Sequence, residues 1–172
     1  DTGTVMGIKS LFAKPFFWVA ICLMICSWAS ELAMAQWASA YEESALGLSK
    51  ALGDLTGPCM IAVTMGISRI IFGKYGEQLD LMKFMGGSGI LCVVCYLLAA
   101  LSSSPIIGLI GCIACGFSVG IMWPGTISIS SKTFPTGGTA MFSLLAMAGD
   151  LGGSIGPGIV GRITQNAGNN IR

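Results

Sequence analysis

Five long apolar runs, covering about 16–41, 51–72, 84–101, 106–131 and 139–163 of the 172 residues, constrain this chain more than any other feature. A helix needs about 20 apolar residues to cross the hydrocarbon of a bilayer, and each run comes close to that length or exceeds it. The expected fold class is therefore all-α and integral to a membrane, with five transmembrane helices. Composition agrees: 53% of the residues are hydrophobic and 10% charged, where a soluble domain carries about a quarter charged residues. So little charge excludes a surface that faces water everywhere, and the net charge of +1 gives no reason to expect a nucleic acid.

The polar breaks set the topology. Arg69, Lys74, Glu77, Asp80 and Lys83 crowd between the second and third runs, punctuated by Gly73 and Gly76. Basic residues beside apolar spans mark the cytoplasmic side. With the N-terminus inside, Lys9, Lys14, Arg69, Lys74, Lys83 and Lys132 are cytoplasmic, against Lys50, Arg162 and Arg172 outside. Trp37 and Tyr41 then read as interfacial anchors, and Glu42, Glu43 and Ser44 end the first span on the outer side. Trp123-Pro124-Gly125 is expected to break the fourth span. Because the chain starts at Asp1 and an odd number of spans leaves its ends on opposite sides, we expect an excerpt of a longer protein, with a sixth span following.

The order of spans, R-x-x-x-G-K-x-G at Arg69, Gly73, Lys74 and Gly76, the WPGT stretch at Trp123 to Thr126 and the Gly-Pro-rich fifth span resemble the C-terminal half of a major facilitator superfamily transporter. Bacterial fucose-permease-like sugar transporters are the most similar group. The resemblance covers residues 1–172, as spans seven to eleven of twelve. The family's loop motif, G-x-x-x-D-R-x-G-R, is matched in part: Gly66, Gly73 and Lys74 fit, while Ile70 and Ile71 stand where Asp and Arg are usual. The resemblance implies a half-bundle of six helices and a carrier of alternating access. Its substrate site would lie near the bilayer midplane, completed by the N-terminal half of the same chain. It also implies that the first, second, fourth and fifth spans here line the cavity. The third, with no charged residue after Lys83, faces lipid.

Chemistry in such a protein comes from intramembrane polar groups, since an ionised carboxylate at a helix centre costs roughly 2.5–3.5 kcal/mol on insertion scales. Asp150 shares a helical face with Ser143, Met147 and Ser154. It is a candidate for proton coupling or substrate binding, or else a residue bonded to a neighbouring helix. Glu31, in the outer half of the first span, lies beside Trp28 and Ser27. A carboxylate beside an indole suits a sugar, whose hydroxyls bond the acid while its apolar face stacks on the ring. Gln36 lies on another face and joins that site only if the helix breaks. Asp54, close to the outer interface, is satisfied there by water or a helix N-terminus. Trp123, with Thr126 and Ser130, offers stacking and hydroxyls beside Pro124. Arg69, Gly73, Lys74 and Gly76 form a cytoplasmic loop that is a candidate gate or simply a solvated turn.

Other patterns carry less. Cys92-x-x-Cys95 and Cys112-x-x-Cys115 have metal-site spacing but lie in apolar spans, where cysteine packs as a small apolar residue, so no metal is implied. Gly156-x-Gly158-x-x-Gly161 lacks the strand a dinucleotide site requires. Gly152-x-x-x-Gly156 and Gly116-x-x-x-Gly120 read as close helix contacts. Without His, a serine nucleophile motif or a metal cluster, an enzyme is not expected. The expected function is secondary active transport in a bacterial inner membrane. The partners are the lipid bilayer and a small-molecule substrate, a sugar or similar small polar solute, taken up with a proton as coupling ion and no cofactor. The alternatives are a drug or metabolite exporter of the same fold and a non-transporting sensor or assembly subunit.

Overall fold

The computed structural model describes residues 6–168 apart from Leu48 and Ser103. Among these, seven helices and no strand are found: α1 (Ile8–Phe12), α2 (Pro15–Leu46), α3 (Lys50–Tyr75), α4 (Leu81–Leu101), α5 (Pro105–Gly120), α6 (Met122–Thr133) and α7 (Gly138–Asn166). Helices α5 and α6 together make the fourth span, so five segments are long and apolar enough to cross a membrane.

Local chemistry explains the boundaries. Pro15 opens α2 at its first turn, where a missing N–H costs nothing, and Gly47 closes it in the left-handed region at φ 65°. Ser49 caps α3 by accepting from the Leu52 amide at 3.4 Å. Asp80 caps α4 by accepting from the Lys83 amide at 3.4 Å, and the Lys83 ammonium lies 3.2 Å from the same carboxylate. The Lys83 contacts hold the Asp80 carboxyl below the usual carboxylate range.

Helix α2 is the axis of the bundle. Helix α7 lies along it in the most extensive contact of the fold, while α3 and α4 pack on α5. The α2–α7 approach depends on glycine. Gly152 sits against the Ile25 carbonyl, and a Cβ at Gly156 would come 2.7 Å from the Ala29 carbonyl oxygen. The small-residue pairs therefore work as close helix contacts, Gly116 and Gly120 doing the same for α5 on α3.

Two apolar clusters form the interior. One gathers Leu11, Phe17, Ala20, Met24, Phe134, Met141, Leu145 and Ala148 around the start of α2. The other gathers Met34, Ala38, Tyr41, Ile61 and the four cysteines Cys92, Cys95, Cys112 and Cys115 around its second half. The cysteines thus pack as buried small apolar groups between α4 and α5. Between the clusters, α2 presents Trp28 and Glu31.

One local expectation is corrected and three others gain structural detail. The helix of the second span continues through Arg69, Gly73 and Lys74 to Tyr75, so the segment expected to be loop is helical except for Gly76 and the turn after it. Trp37 donates to the Pro157 carbonyl on α7 at 3.4 Å, and Tyr41 is buried, so both ring systems also pack within the bundle. The first span runs Pro15–Ser44, so it ends at Glu42, Glu43 and Ser44 as expected, and Glu42 itself is buried within α2, one turn before Leu46. The fourth span breaks at Ile121, just before Trp123-Pro124-Gly125, because Pro124 has no N–H to give the carbonyl of Gly120 and crowds it.

Candidate functional site

The break at Ile121 creates the site. Without a partner from Pro124, the Gly120 carbonyl is left open, and Arg69 of α3 donates to it through Nε at 3.2 Å. That bond turns the guanidinium toward α2, where Nη2 lies 3.9 Å from Glu31 Oε1. One proline on the fourth span thus positions an arginine of the second against an acid of the first. The separation is at the long edge of an ion pair, and Arg69 remains 48% exposed while Glu31 is 18% exposed. Such a loose pair leaves donors of the guanidinium fork uncommitted.

Trp28, one turn before Glu31 on α2, meets Trp123 of α6 edge to face, with ring centroids 6.0 Å apart and planes at 87°. Trp28, Glu31, Arg69 and Trp123 line one open cleft of about 280 Å³. Trp123 Nε1 is buried beside it and has no hydrogen-bond partner among the described residues. Chemically the cleft offers an acceptor carboxylate, a donor fork and two indole faces with no net charge. It is suited to holding a small polar solute by paired hydrogen bonds and ring stacking.

The structure brings Trp28, Glu31 and Trp123 together as one lining. It adds Arg69, which charge counting places in the cytoplasmic loop, and sets Glu31 just past the middle of α2. Ser27 is not part of the cleft: it is buried and donates to the Met24 carbonyl at 3.1 Å. Helix α2 runs unbroken past Gln36, so Gln36 stays exposed and outside the lining. Asp150, Ser143 and Ser154 share an exposed face of α7, turned away from the glycines that seat on α2. Ser154 donates to the Asp150 backbone carbonyl at 2.8 Å. Thr126 and Ser130 are buried behind Trp123, Thr126 bonding the Met122 carbonyl at 2.7 Å. Gly73 and Lys74 lie exposed on the last turns of α3, the Lys74 ammonium 5.3 Å from the Tyr75 ring centre, and Gly76 caps that helix. Asp54 is exposed and accepts from Ser39 Oγ at 2.5 Å.

Sequence reasoning missed the Arg69–Glu31 pair, although one signal was present: a proline four residues after Gly120 predicts an unpaired carbonyl there. The sequence profile of the Major Facilitator Superfamily matches residues 2–157. The chain belongs to the Major Facilitator Superfamily. No curated protein and no solved structure shows a significant match. Members of this superfamily are membrane transporters and not enzymes, and the five apolar helices make this chain an integral membrane protein of that type.

Proposed function

We propose that the chain is the C-terminal half of a secondary active transporter of a bacterial plasma membrane, taking up a sugar or similar small polar solute together with a proton. The observation that carries this reading is the Glu31–Arg69 pair at 3.9 Å beside the Trp28–Trp123 rings. Charged side chains at membrane depth are costly and belong to pathways for solutes or protons. A pair of opposite sign keeps the cleft neutral for an uncharged solute. Glu31 carries the coupling proton: when it is protonated, Arg69 is released to donate to the solute, and when it is ionised, Arg69 closes on it. Solute binding and proton binding then favour the same state, which is the requirement for symport. The N-terminal half supplies the opposite wall, and the two halves rock about the site. Resemblance to fucose-permease-like carriers supports a sugar as the solute.

The test is the external pH of lightly buffered, de-energised cells expressing the intact protein, followed as each of a panel of sugars is added. Alkalinisation is expected for one sugar in the wild type and is abolished in Glu31→Gln and in Arg69→Gln. A wild-type protein present in the membrane that gives no pH change with any sugar would sink the proton–sugar reading.

A further inference from the structure

Short connections turn each span back on the last, so the start of α2, the end of α3, the start of α4, the end of α6 and the start of α7 gather at one end of the bundle. Among the described residues that end carries Lys9, Lys14, Lys74, Lys83 and Lys132 against Glu77 and Asp80. The other end carries Lys50 and Arg162 against Glu42, Glu43 and Asp54. Both acids of the basic end lie on the turn between α3 and α4, where Asp80 is already paired with Lys83. Lys9, Lys14 and Lys132 have no acid partner among the described residues.

A pocket of about 460 Å³ opens at this end between the start of α2 and the turn from α6 to α7. Lys14, Thr133 and Thr136 line it with an ammonium and two hydroxyls, and no acid lines it. Lys132, exposed like Lys14, immediately precedes Thr133. The rings of Phe16 and Phe134, with centroids 5.9 Å apart, supply its apolar wall. Its frame is tied together, since the Met6 amide donates to the Thr136 carbonyl at 2.8 Å and Phe134 belongs to the buried cluster around the start of α2.

An apolar groove of about 320 Å³ begins one turn further along α2, lined by Trp18, Val19, Cys22, Leu23 and Cys26. Pro15 of the pocket and Val19, Cys22 and Cys26 of the groove recur at helical spacing, so the two share a face of α2. Trp28 and Glu31 belong to a different face, and neither lines pocket or groove. At about 1.5 Å per residue the groove runs about 12 Å from Trp18 to Cys26, most of the roughly 15 Å of one hydrocarbon leaflet. Trp18 stands at the junction, half exposed, its indole N–H donating to the Phe12 carbonyl at 2.9 Å. A tryptophan so placed marks the boundary between head groups and hydrocarbon.

We propose that pocket and groove together bind one anionic phospholipid of the cytoplasmic leaflet, its phosphate met by Lys14 and the neighbouring Lys132 and one acyl chain laid along Trp18 to Cys26. Charge complementarity selects this occupant. The lysines are unpaired, no acid faces them in the pocket, and the basic end is the one that meets the leaflet rich in anionic lipid. A zwitterionic lipid brings its own cation and gains less there, and a soluble phosphate would leave the groove uncovered. The site goes beyond the transport reading and stands whether or not any solute is carried.

The test uses the purified full-length protein in phosphatidylcholine bilayers, into which phosphatidylglycerol or phosphatidylcholine brominated on its acyl chains is titrated. The signal is quenching of Trp18 fluorescence, read in each protein as the difference from the same protein carrying Trp18→Phe. Phosphatidylglycerol is expected to quench at a concentration lower by about fivefold or more, the size of effect one lysine has near a charged lipid. Lys14→Gln and Lys132→Gln should each reduce that preference severalfold, while Lys74→Gln, at the same end but outside the pocket, should leave it intact. An equal fall in Lys74→Gln would mean a diffuse attraction of the whole basic end and would overturn the site. Equal quenching by the two lipids would overturn the charge selection. Loss of quenching on adding millimolar glycerol phosphate would assign the pocket to a soluble phosphate instead. No quenching of Trp18 by either lipid would mean that another segment of the full chain covers this face, and the proposal would fail.

Discussion

Arg69 is a charge on a stem long enough to leave its own helix, and its role is decided by where that stem is drawn. On α3 it lies between the apolar Ile67 and Ile70, and charge counting sends it to the cytoplasm. The open Gly120 carbonyl and Glu31 draw it into the cleft instead. Trp28, Glu31 and Trp123 were legible in the sequence because an acid or an indole inside an apolar run stands out by itself. Arg69 was not, because a cation at the end of a span has a second explanation. The pair is testable by a double-mutant cycle on thermal unfolding of the purified full-length protein. Glu31→Gln and Arg69→Gln each lower the midpoint, and the double variant recovers part of the loss. With Arg69 half exposed the coupling is about 0.5–1 kcal/mol. Strict additivity would mean that the two side chains do not interact.

The helices are bounded by local signals that the sequence displays openly: Pro15 and Gly47 around α2, Ser49 before α3, Asp80 before α4. The break in the fourth span was legible too, though it falls at Ile121, because a proline disturbs the turn preceding it. Glycines also declared the α2–α7 seam, and the seam makes a stability prediction. Gly152→Ala places a methyl group inside contact distance of the Ile25 carbonyl, a backbone atom that cannot swing aside. It should cost about 1–3 kcal/mol, seen as a lower thermal midpoint. Gly158→Ala, in the same helix with nothing within 4 Å, should leave the midpoint unchanged or raise it. Equal losses for both would show that helix flexibility, rather than close packing, is what these glycines provide.

Among the described residues, the candidate polar groups of α2, α3 and α6 and those of α7 lie on different surfaces. The cleft faces the convergence of α2, α3 and α6, while Asp150, Ser143 and Ser154 lie on the far side of α7. Affinity and assembly should therefore separate. Asp150→Asn in the intact transporter should change the KM for the transported solute by no more than roughly twofold, under about 0.5 kcal/mol. Glu31→Gln, which removes a charged hydrogen-bond acceptor from the cleft, should raise it about tenfold or more. Initial uptake rates across solute concentration measure both, and a comparable rise for Asp150→Asn would put the α7 face inside the site. By itself the sequence determined that the chain is helical, that it resides in a membrane, how many spans it has and to which superfamily it belongs. Each of these rests on transfer energy and local backbone chemistry summed along the chain. Only the tertiary structure decided that Arg69 reaches Glu31, that Gln36 is left outside the cleft and that Glu42 is buried rather than solvated. Those outcomes depend on how the helices are rotated against one another, and that rotation is set by contacts between residues far apart in sequence, such as Gly152 on Ile25, Gly57 under Glu42 and Gly120 beside Arg69.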